Sequence, residues 1–261
     1  MSDRWSDLAS RLGSAAIMAI VGLWGIWAGS NVFHLMVAII TGLMVWELVR
    51  MIVPRNEPMA LHLGLLAGLA SMVAIYVPTG IAFPLLLAPA LIGFFRIEKD
   101  RALFLVYSVM VLLAGFGMMS IRDNLGFGWM AWLVLVVIAT DVLGYFAGRI
   151  IGGPKFWPAV SPKKTWSGTA GGWIGAAIVG AIYAANSPAM LQVIGVSIAV
   201  SMASQMGDVA ESAIKRRTGV KDSSNLIPGH GGVLDRFDGM LGASVFLLVL
   251  GPLVGFPPGL N

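Results

Sequence analysis

The sequence predicts an all-α polytopic membrane protein with about nine transmembrane helices and a cytoplasmic N-terminus. Of its 261 residues, 57% are hydrophobic and only 11% are charged, against about 25% charged residues in a soluble globular domain. The mean hydropathy of +0.85 is typical of a chain built mostly of spanning segments. Cysteine is absent, which excludes disulfides and thiolate metal sites.

Nine apolar segments follow one another along the chain, most of them close to the ~20 residues that cross the hydrocarbon core. We expect the first to be a retained helix and not a cleaved signal, because no small-residue cleavage site follows it. The fourth is short and contains Pro84 and Pro89, which predicts a kinked or partly spanning helix. The segments run near 12–30, 31–49, 60–78, 81–95, 102–120, 128–148, 168–186, 189–207 and 239–256.

The distribution of positive charge supports this count of segments. With nine spans, all but one of the 17 Lys and Arg residues lie on the side of the N-terminus, and the exception is Arg122. The positive-inside rule makes that side cytoplasmic. A cationic cytoplasmic face suits anionic lipid headgroups and nucleotides. No basic stripe alternates with stacking aromatics, so no nucleic-acid partner is predicted.

The chain is predicted to form a single membrane domain over residues 1–261, with two enlarged cytoplasmic loops at about 149–167 and 208–238. Three pairs of glycines have the G-x-x-x-G spacing that packs membrane helices. We expect Glu47, near a cytoplasmic helix end, to extend its carboxylate into water. The glycine pairs are Gly64/Gly68, Gly168/Gly172 and Gly171/Gly175.

The end of the eighth segment carries four polar residues on one helical face. Asp208, Glu211, Ser212 and Lys215 have the spacing i, i+3, i+4 and i+7, which is one side of an α-helix. Two carboxylates facing lipid would be costly, so this face is predicted to point into a polar cavity. A solvated helix end with a Glu211–Lys215 pair explains the same pattern.

The loop that follows combines cations, carboxylates and glycines. Glycines around His230 allow close approach of a ligand, and His230 itself could contact phosphate, transfer a proton or only fill a turn. Asp235 and Asp238 open the last helix on one face, where the helix dipole alone would favour acids. Four carboxylates bracket this loop, and Mg²⁺ would relieve their repulsion. They are Asp208, Asp222, Asp235 and Asp238.

A second polar cluster lies around the seventh segment. Asp141 falls inside the sixth apolar segment, where an unpaired carboxylate costs a few kcal/mol. Before the seventh, hydroxyls and lysines precede a helix N-terminus, an arrangement that suits phosphate. Membrane anchoring with a Ser or Thr N-cap would account for the same residues. They are Ser161, Pro162, Lys163, Lys164, Thr165 and Trp166.

These residues resemble the signature of the phosphatidate cytidylyltransferases, also called CDP-diacylglycerol synthases. That signature reads S-x-x-K-R-x4-K-D, a short spacer, then P-x-H-G-G-x-x-D-R-x-D, and every polar position is filled in register over 212–238. The stretches Tyr145–Arg149 and Ser161–Trp166 also match the family, although Ser167 stands where the family usually has Glu. The matching residues in the signature are Ser212, Lys215, Arg216, Lys221, Asp222, Pro228, His230, Gly231, Gly232, Asp235, Arg236 and Asp238.

The resemblance implies conversion of CTP and phosphatidate to CDP-diacylglycerol and pyrophosphate at the cytoplasmic face of a bacterial inner membrane. It also implies Mg²⁺, a second monovalent cation such as K⁺, and a homodimer. By this likeness Asp208 and Asp235 are the first candidate metal ligands, followed by Asp238 and Asp222. Candidate catalytic residues are Asp208, Lys215, His230, Asp235 and Asp238; candidate substrate-binding residues are Asp141, Ser161, Lys163, Lys164, Thr165, Ser212, Arg216, Lys221 and Arg236.

Three other functions compete with this interpretation. A transporter would place charges along a path through the bilayer, whereas apart from Asp141 the charges here lie at one face. A CDP-alcohol phosphatidyltransferase would show D-G-x-x-A-R followed by G-x-x-x-D-x-x-x-D, which is absent from the sequence. A CTP-dependent lipid kinase would be separated by its products, which are CDP and a new phosphoester.

Overall fold

The computed structural model describes residues 2–185 and 187–257, with side chains from residue 13 onward. The side chains of Arg4 and Arg11, two of the predicted cytoplasmic cations, lie outside the described residues. Position 186, the last of the predicted segment 168–186, also lies outside them. Within the described residues the chain is helical along most of its length, so the predicted all-α membrane class is confirmed.

Eight helices account for the nine predicted apolar segments within the described part of the chain. Each predicted segment overlaps a helix for most of its length, because an apolar stretch of this length satisfies its backbone groups internally only as a helix. The helices are α1 Ser2–Ala28, α2 Ser30–Ile52, α3 Glu57–Ala74, α4 Thr79–Arg96, α5 Arg101–Ile150, α6 Trp166–Tyr183, α7 Met190–Thr218 and α8 Leu234–Leu250.

The longest helix, α5, is broken at Gly126. Its 50 residues would extend about 75 Å as one straight helix, more than twice the hydrocarbon core. Gly126 has φ 82° and ψ −175°, a conformation that only glycine adopts without strain. The predicted segments 102–120 and 128–148 therefore lie on opposite sides of this break.

Five of the described helices are long and apolar enough to cross a membrane, namely α2, α3, α4, α5 and α7. The chain is therefore an integral membrane protein. Pro84 and Pro89 lie inside α4, which nevertheless continues for 18 residues to Arg96. A membrane helix tolerates proline where neighbouring groups satisfy the freed carbonyls.

The chain divides into two compact units, which we describe separately. Unit 1 comprises Met1–Asp123 and Arg217–Phe237. Its core contains the fully buried side chains of Phe33, Leu48 and Phe104. The helices α2 and α3 approach closely at Gly64, where a Cβ atom would lie 2.8 Å from the carbonyl oxygen of Gly42.

Unit 2 comprises Asn124–Arg216 and Asp238–Asn261. Trp132 is fully buried and donates its indole N–H to Ser197 Oγ at 3.1 Å, which links α5 to α7. The small-residue face of α6 packs against α5, because a Cβ on Gly171 or Gly175 would lie about 3 Å from an α5 carbonyl oxygen. The predicted packing role of the glycine pairs is thus confirmed.

The two predicted cytoplasmic loops are more ordered than their sequences suggest. The first contains an antiparallel hairpin of strands β1 Lys155–Trp157 and β2 Ser161–Thr165, a small addition to an all-α fold. The second is irregular only over 219–233, because α7 continues to Thr218 and α8 begins at Leu234. The one-faced cluster at Asp208–Lys215 therefore lies within a helix, as its spacing predicts.

We expect Gly64→Val to destabilise the protein by about 1–3 kcal/mol, the usual cost of overpacking, because the added side chain meets Gly42 O and Trp46 Cβ. Thermal unfolding in detergent measures the loss. Gly195→Val is the matched control, since no atom lies within 4 Å of a Cβ at that helical glycine. Equal melting temperatures for the two variants would show that the α2–α3 contact is not tight.

Candidate active site

A cavity of about 380 Å³, lined by several charged residues, lies in unit 2. Its lining comes from the second half of α5, from β2 and from the facing turns of α6 and α7. The cavity brings together five residues that the sequence analysis selected from separate stretches of chain: Asp141, Lys163, Lys164, Thr165 and Asp208. Tyr145, Arg149 and Gln205 are among the other polar residues that line it.

Glycines bring the walls of this cavity together. A Cβ on Gly168 of α6 would lie 2.8 Å from the carbonyl oxygen of Gly144 on α5. A Cβ on Gly148 would lie 2.9 Å from Thr165 Oγ1. Such close backbones let the short side chains of α5 and β2 reach the same cavity.

Two lysines of β2, Lys163 and Lys164, line the cavity. Lys164 Nζ forms an ion pair with Asp208 and donates to the carbonyl oxygen of Gln205 at 3.3 Å. Thr165 caps α6 by accepting from Gly168 N at 3.2 Å, so the N-cap that the sequence allowed is present. Ser167, the departure from the family pattern, donates to the carbonyl oxygen of Gly152 at 2.5 Å.

Three carboxylates gather beside this cavity, also in unit 2. One oxygen from each of Asp208, Glu211 and Asp238 lies within 4.8 Å of the others. The helices α7 and α8 touch through glycine here, since a Cβ on Gly207 would collide with the backbone carbonyl of Asp238. Glu211 is fully buried and pairs with Lys215 of the next turn.

The negative charge of the cluster affects the pKa of Asp238, which precedes the apolar run that begins at Gly239. Burial, then the negative charge of Asp208, raises the pKa of Asp238 from 3.8 to about 7. Asp141 adds to this rise of the pKa, while the Gly239 N–H and Lys215 oppose it. Without a cation, the surroundings of Asp238 therefore favour its protonated form more than those of an exposed aspartate would.

Oxygen donors of this kind are the ligands that Mg²⁺ prefers. Asp208 and Asp238 are predicted metal ligands, whereas the sequence places Glu211 only on the polar face of the helix. The sequence could have indicated Glu211 as a third metal ligand, because it follows Asp208 by three positions on the same helical face. The structure places the other two predicted ligands, Asp222 and Asp235, in unit 1.

In unit 1, the buried carboxylate of Glu47 accepts four hydrogen bonds from the loop 219–233 and the start of α8. We call this set of hydrogen bonds the Glu47 contact. The carboxylate oxygens accept from Val233 N at 2.9 Å, Leu234 N at 2.7 Å, Ser224 Oγ at 2.6 Å and Ser223 Oγ at 3.2 Å. The expectation that Glu47 reaches into water was wrong, because its side chain is fully buried. The two amides belong to the start of α8, so Glu47 also satisfies free N–H groups of that helix.

Asp235 makes a second set of contacts with the same loop. Its Oδ2 accepts from Ser223 N at 2.9 Å, Ser223 Oγ at 2.9 Å and Gly232 N at 2.8 Å. Gly231 has a φ of +83°, and a Cβ there would lie 2.8 Å from Asp235 Oδ2 and 3.4 Å from Asp222 Cβ. Asp235 thus shapes the loop through hydrogen bonds, and its role at a metal stays a prediction.

His230 sits in a tight turn of this loop. Its Nδ1 lies 2.8 Å from Ser14 Oγ, which connects the turn to α1. The main chain closes the turn with a bond from Ile227 N to Gly231 O at 2.8 Å, and Arg236 Nε donates to His230 O at 3.0 Å. These contacts position the ring; a proton-transfer role for His230 stays a prediction.

The remaining predicted substrate-binding residues occupy varied positions. Ser212 Oγ donates to Asp208 Oδ1 at 3.3 Å, which adds it to the acid cluster. Ser161 is half-buried at the start of β2, outside the cavity lining. Arg216 and Lys221 are exposed, the first at the end of α7 and the second in the loop.

The fold and the site together define an integral membrane protein with a cation-lined cavity beside clustered carboxylates. The sequence matches the cytidylyltransferase family over residues 9–253. A phosphatidate cytidylyltransferase of Brucella abortus (strain 9-941) is 33% identical across 98% of this chain and 97% of its own length. The chain therefore belongs to the cytidylyltransferase family, as the signature indicated.

Two further relatives match about half of the chain. A phosphatidate cytidylyltransferase of Bacillus subtilis (strain 168) is 40% identical over 49% of both chains. One from Mycobacterium tuberculosis (strain H37Rv) is 39% identical over 51% of this chain and 42% of its own.

We expect Glu47→Gln to destabilise the protein by about 1–3 kcal/mol, because an amide accepts with one atom only and leaves buried donors unsatisfied. Thermal unfolding measures the loss, and faster tryptic cleavage after Lys221 would locate it in the loop. Glu57→Gln is the control, since the exposed Glu57–Arg50 pair is worth only about 0–1 kcal/mol. Equal losses in the two variants would contradict a special role for the Glu47 contact.

Proposed function

We propose that this chain transfers the cytidylyl group of CTP to phosphatidate, which yields CDP-diacylglycerol and pyrophosphate. The observation that carries the proposal is the cavity of unit 2, where Arg149, Lys163 and Lys164 stand beside Asp141 and Asp208. Such a mixture fits a ligand rich in phosphate oxygens. The full-length likeness to a relative with this activity supports the same reaction.

The reaction needs no covalent nucleophile from the protein. A phosphate oxygen of phosphatidate forms a bond to the α-phosphorus of CTP, and the bond from that phosphorus to the oxygen bridging to the β-phosphorus breaks. Pyrophosphate leaves with the electron pair. The protein has to align the two oxygens and neutralise the charge that develops on them.

The cations of the cavity are suited to that task. Lys164 is paired with Asp208, and it can turn from that carboxylate to a substrate phosphate because the ion pair is partly exposed. Lys163 is exposed beside it on β2, and Arg149 donates to Tyr145 OH at 2.8 Å. The guanidinium of Arg149 retains further N–H groups that could bind a phosphate in bidentate fashion.

The acid cluster fits a divalent metal by the chemistry of its donors. Asp208, Glu211 and Asp238 would hold Mg²⁺, which supplies charge neutralisation at the nucleotide phosphates when bound. A nearby Lys215 limits the net negative charge of the cluster. A second, monovalent cation such as K⁺ is proposed from the family resemblance alone.

Residues of the loop 219–233 and its flanks complete the proposal. Lys221 and Arg236 are exposed and are proposed to bind phosphate, as is Arg216 near the end of α7. Asp235 accepts hydrogen bonds from Ser223 and Gly232 and would thereby position the loop that carries Lys221. His230 keeps the proposed role of a substrate contact or proton carrier.

We further propose nine spans, a cytoplasmic N-terminus and a location in the bacterial cytoplasmic membrane with the site on the cytoplasmic side. The eight α-helices of the described residues, with α5 divided in two at Gly126, support the number of spans. The one-sided distribution of Lys and Arg supports the orientation. Bacterial relatives support the location. A homodimer and surrounding lipids as partners are proposed from the family resemblance.

Purified protein supplied with CTP, phosphatidate and Mg²⁺ should release pyrophosphate and form CDP-diacylglycerol. Asp208→Asn should lower this activity by about 100-fold or more, the usual loss when charge stabilisation at a reacting centre is removed. Glu98→Gln, which removes an exposed acid outside the cavity, should retain activity. Release of CDP with a new phosphoester would instead indicate a lipid kinase, and no consumption of CTP would favour a transporter.

Mg²⁺ should stabilise the folded protein, by about 2.7 kcal/mol at a concentration 100 times its dissociation constant. The measurement is the melting temperature in detergent with and without the ion. Asp238→Asn should remove most of the Mg²⁺-dependent rise, because it deletes a proposed ligand, whereas Glu98→Gln should keep it. If Mg²⁺ raised the melting temperature of Asp238→Asn as much as that of the unaltered protein, the metal site would be contradicted. The proposal that CTP is the substrate would not be affected.

A further inference from the structure

A second cavity, of about 490 Å³, lies in unit 1 against α3 and α4. We call it the α3–α4 groove. The two helices are antiparallel neighbours joined by residues 75–78, and the groove opens at the end where α3 begins and α4 stops. None of its lining residues belongs to the cavity of unit 2, so it requires a separate explanation.

The rim of the groove is polar and cationic. Arg96, the last residue of α4, is exposed and forms no ion pair or hydrogen bond with any described residue. His62 is exposed on α3 beside it and likewise makes no such contact within the described part of the chain. Glu57 at the same end does not neutralise Arg96, because it pairs with Arg50 at 2.8 Å.

Below this rim the groove is apolar. Leu63, Leu66 and Ile92 line it, and they lie about 6–14 Å along the helix axes from the polar ends of α3 and α4. Ile92 leaves 43% of its surface exposed, so the apolar part of the groove is open at the protein surface. A free phosphate ion would contact only the rim, whereas an acyl chain would cover these side chains as well.

We propose that the α3–α4 groove binds an anionic diacyl phospholipid whose headgroup carries one phosphodiester charge. The guanidinium of Arg96 matches a single negative charge, and an N–H of His62 offers a hydrogen bond to a second phosphate oxygen. One acyl chain lies against Leu63, Leu66 and Ile92. Phosphatidate, a dianionic monoester, matches the three cations of the unit 2 cavity better, and this inference does not depend on the proposed reaction.

Native mass spectrometry of the full chain, purified in detergent, tests the proposal. After exposure to equal amounts of phosphatidylglycerol and phosphatidylcholine, the protein should retain the anionic lipid about fivefold more, the effect of one basic side chain near a membrane surface. Arg96→Gln should abolish this preference. Ile92→Trp, which leaves the charge intact but fills the apolar part of the groove, should reduce retention of both lipids.

The matched control is Arg55→Gln, which removes an exposed cation at the same end of α3 that does not line the groove. It should retain the preference of the unaltered protein, and equal melting temperatures would show that both variants fold. An equal loss in Arg55→Gln and Arg96→Gln would mean that surface charge alone selects the lipid, and would overturn the proposal. Displacement of the lipid by millimolar inorganic phosphate would overturn it too.

Discussion

The conformation of the loop 219–233 depends on the Glu47 contact. A segment such as 219–233 forms no helix or sheet that would satisfy its backbone groups, and unpaired N–H groups buried in a membrane protein are costly. Glu47 accepts from the amides of Val233 and Leu234 and from two serine hydroxyls. Asp235 accepts from the same loop. Two carboxylates, one from a distant helix and one from α8, thereby determine where the His230 turn lies.

In unit 2 the electrostatic problem is different, because several negative charges lie in a small volume. Asp208, Glu211 and Asp238 lie close to Lys164 and Lys215, so internal ion pairs offset part of their negative charge. A substrate phosphate and a cation would exchange with these pairs instead of entering an uncharged space. Glycines at helix contacts make this convergence possible, because aspartate reaches only a short distance from its backbone.

Much of the fold could be predicted from sequence, because hydrophobic length and one-sided basic charge are local properties of the chain. The helical face at Asp208–Lys215 and the helix start at Asp235 were predicted correctly. The N-cap at Thr165 was one of two alternatives that the sequence left open. The hairpin 155–165 and the partners of Glu47 were not predicted. The strands of the hairpin are only three and five residues long, too short for a clear two-residue period. The satisfaction of a buried acid depends on residues far apart along the chain, as the 186-residue separation of Glu47 and Val233 illustrates.

By itself the sequence determined the membrane class, the approximate helix positions and the family, since composition, periodicity and a fixed motif are readable one residue after another. Only the tertiary structure decided which acids meet. It placed Glu211 with Asp208 and Asp238, and it engaged Asp235 with the loop of unit 1. The physical reason is that a carboxylate's role follows from the donors and charges within a few ångströms of it, and helix packing, not sequence order, selects those neighbours.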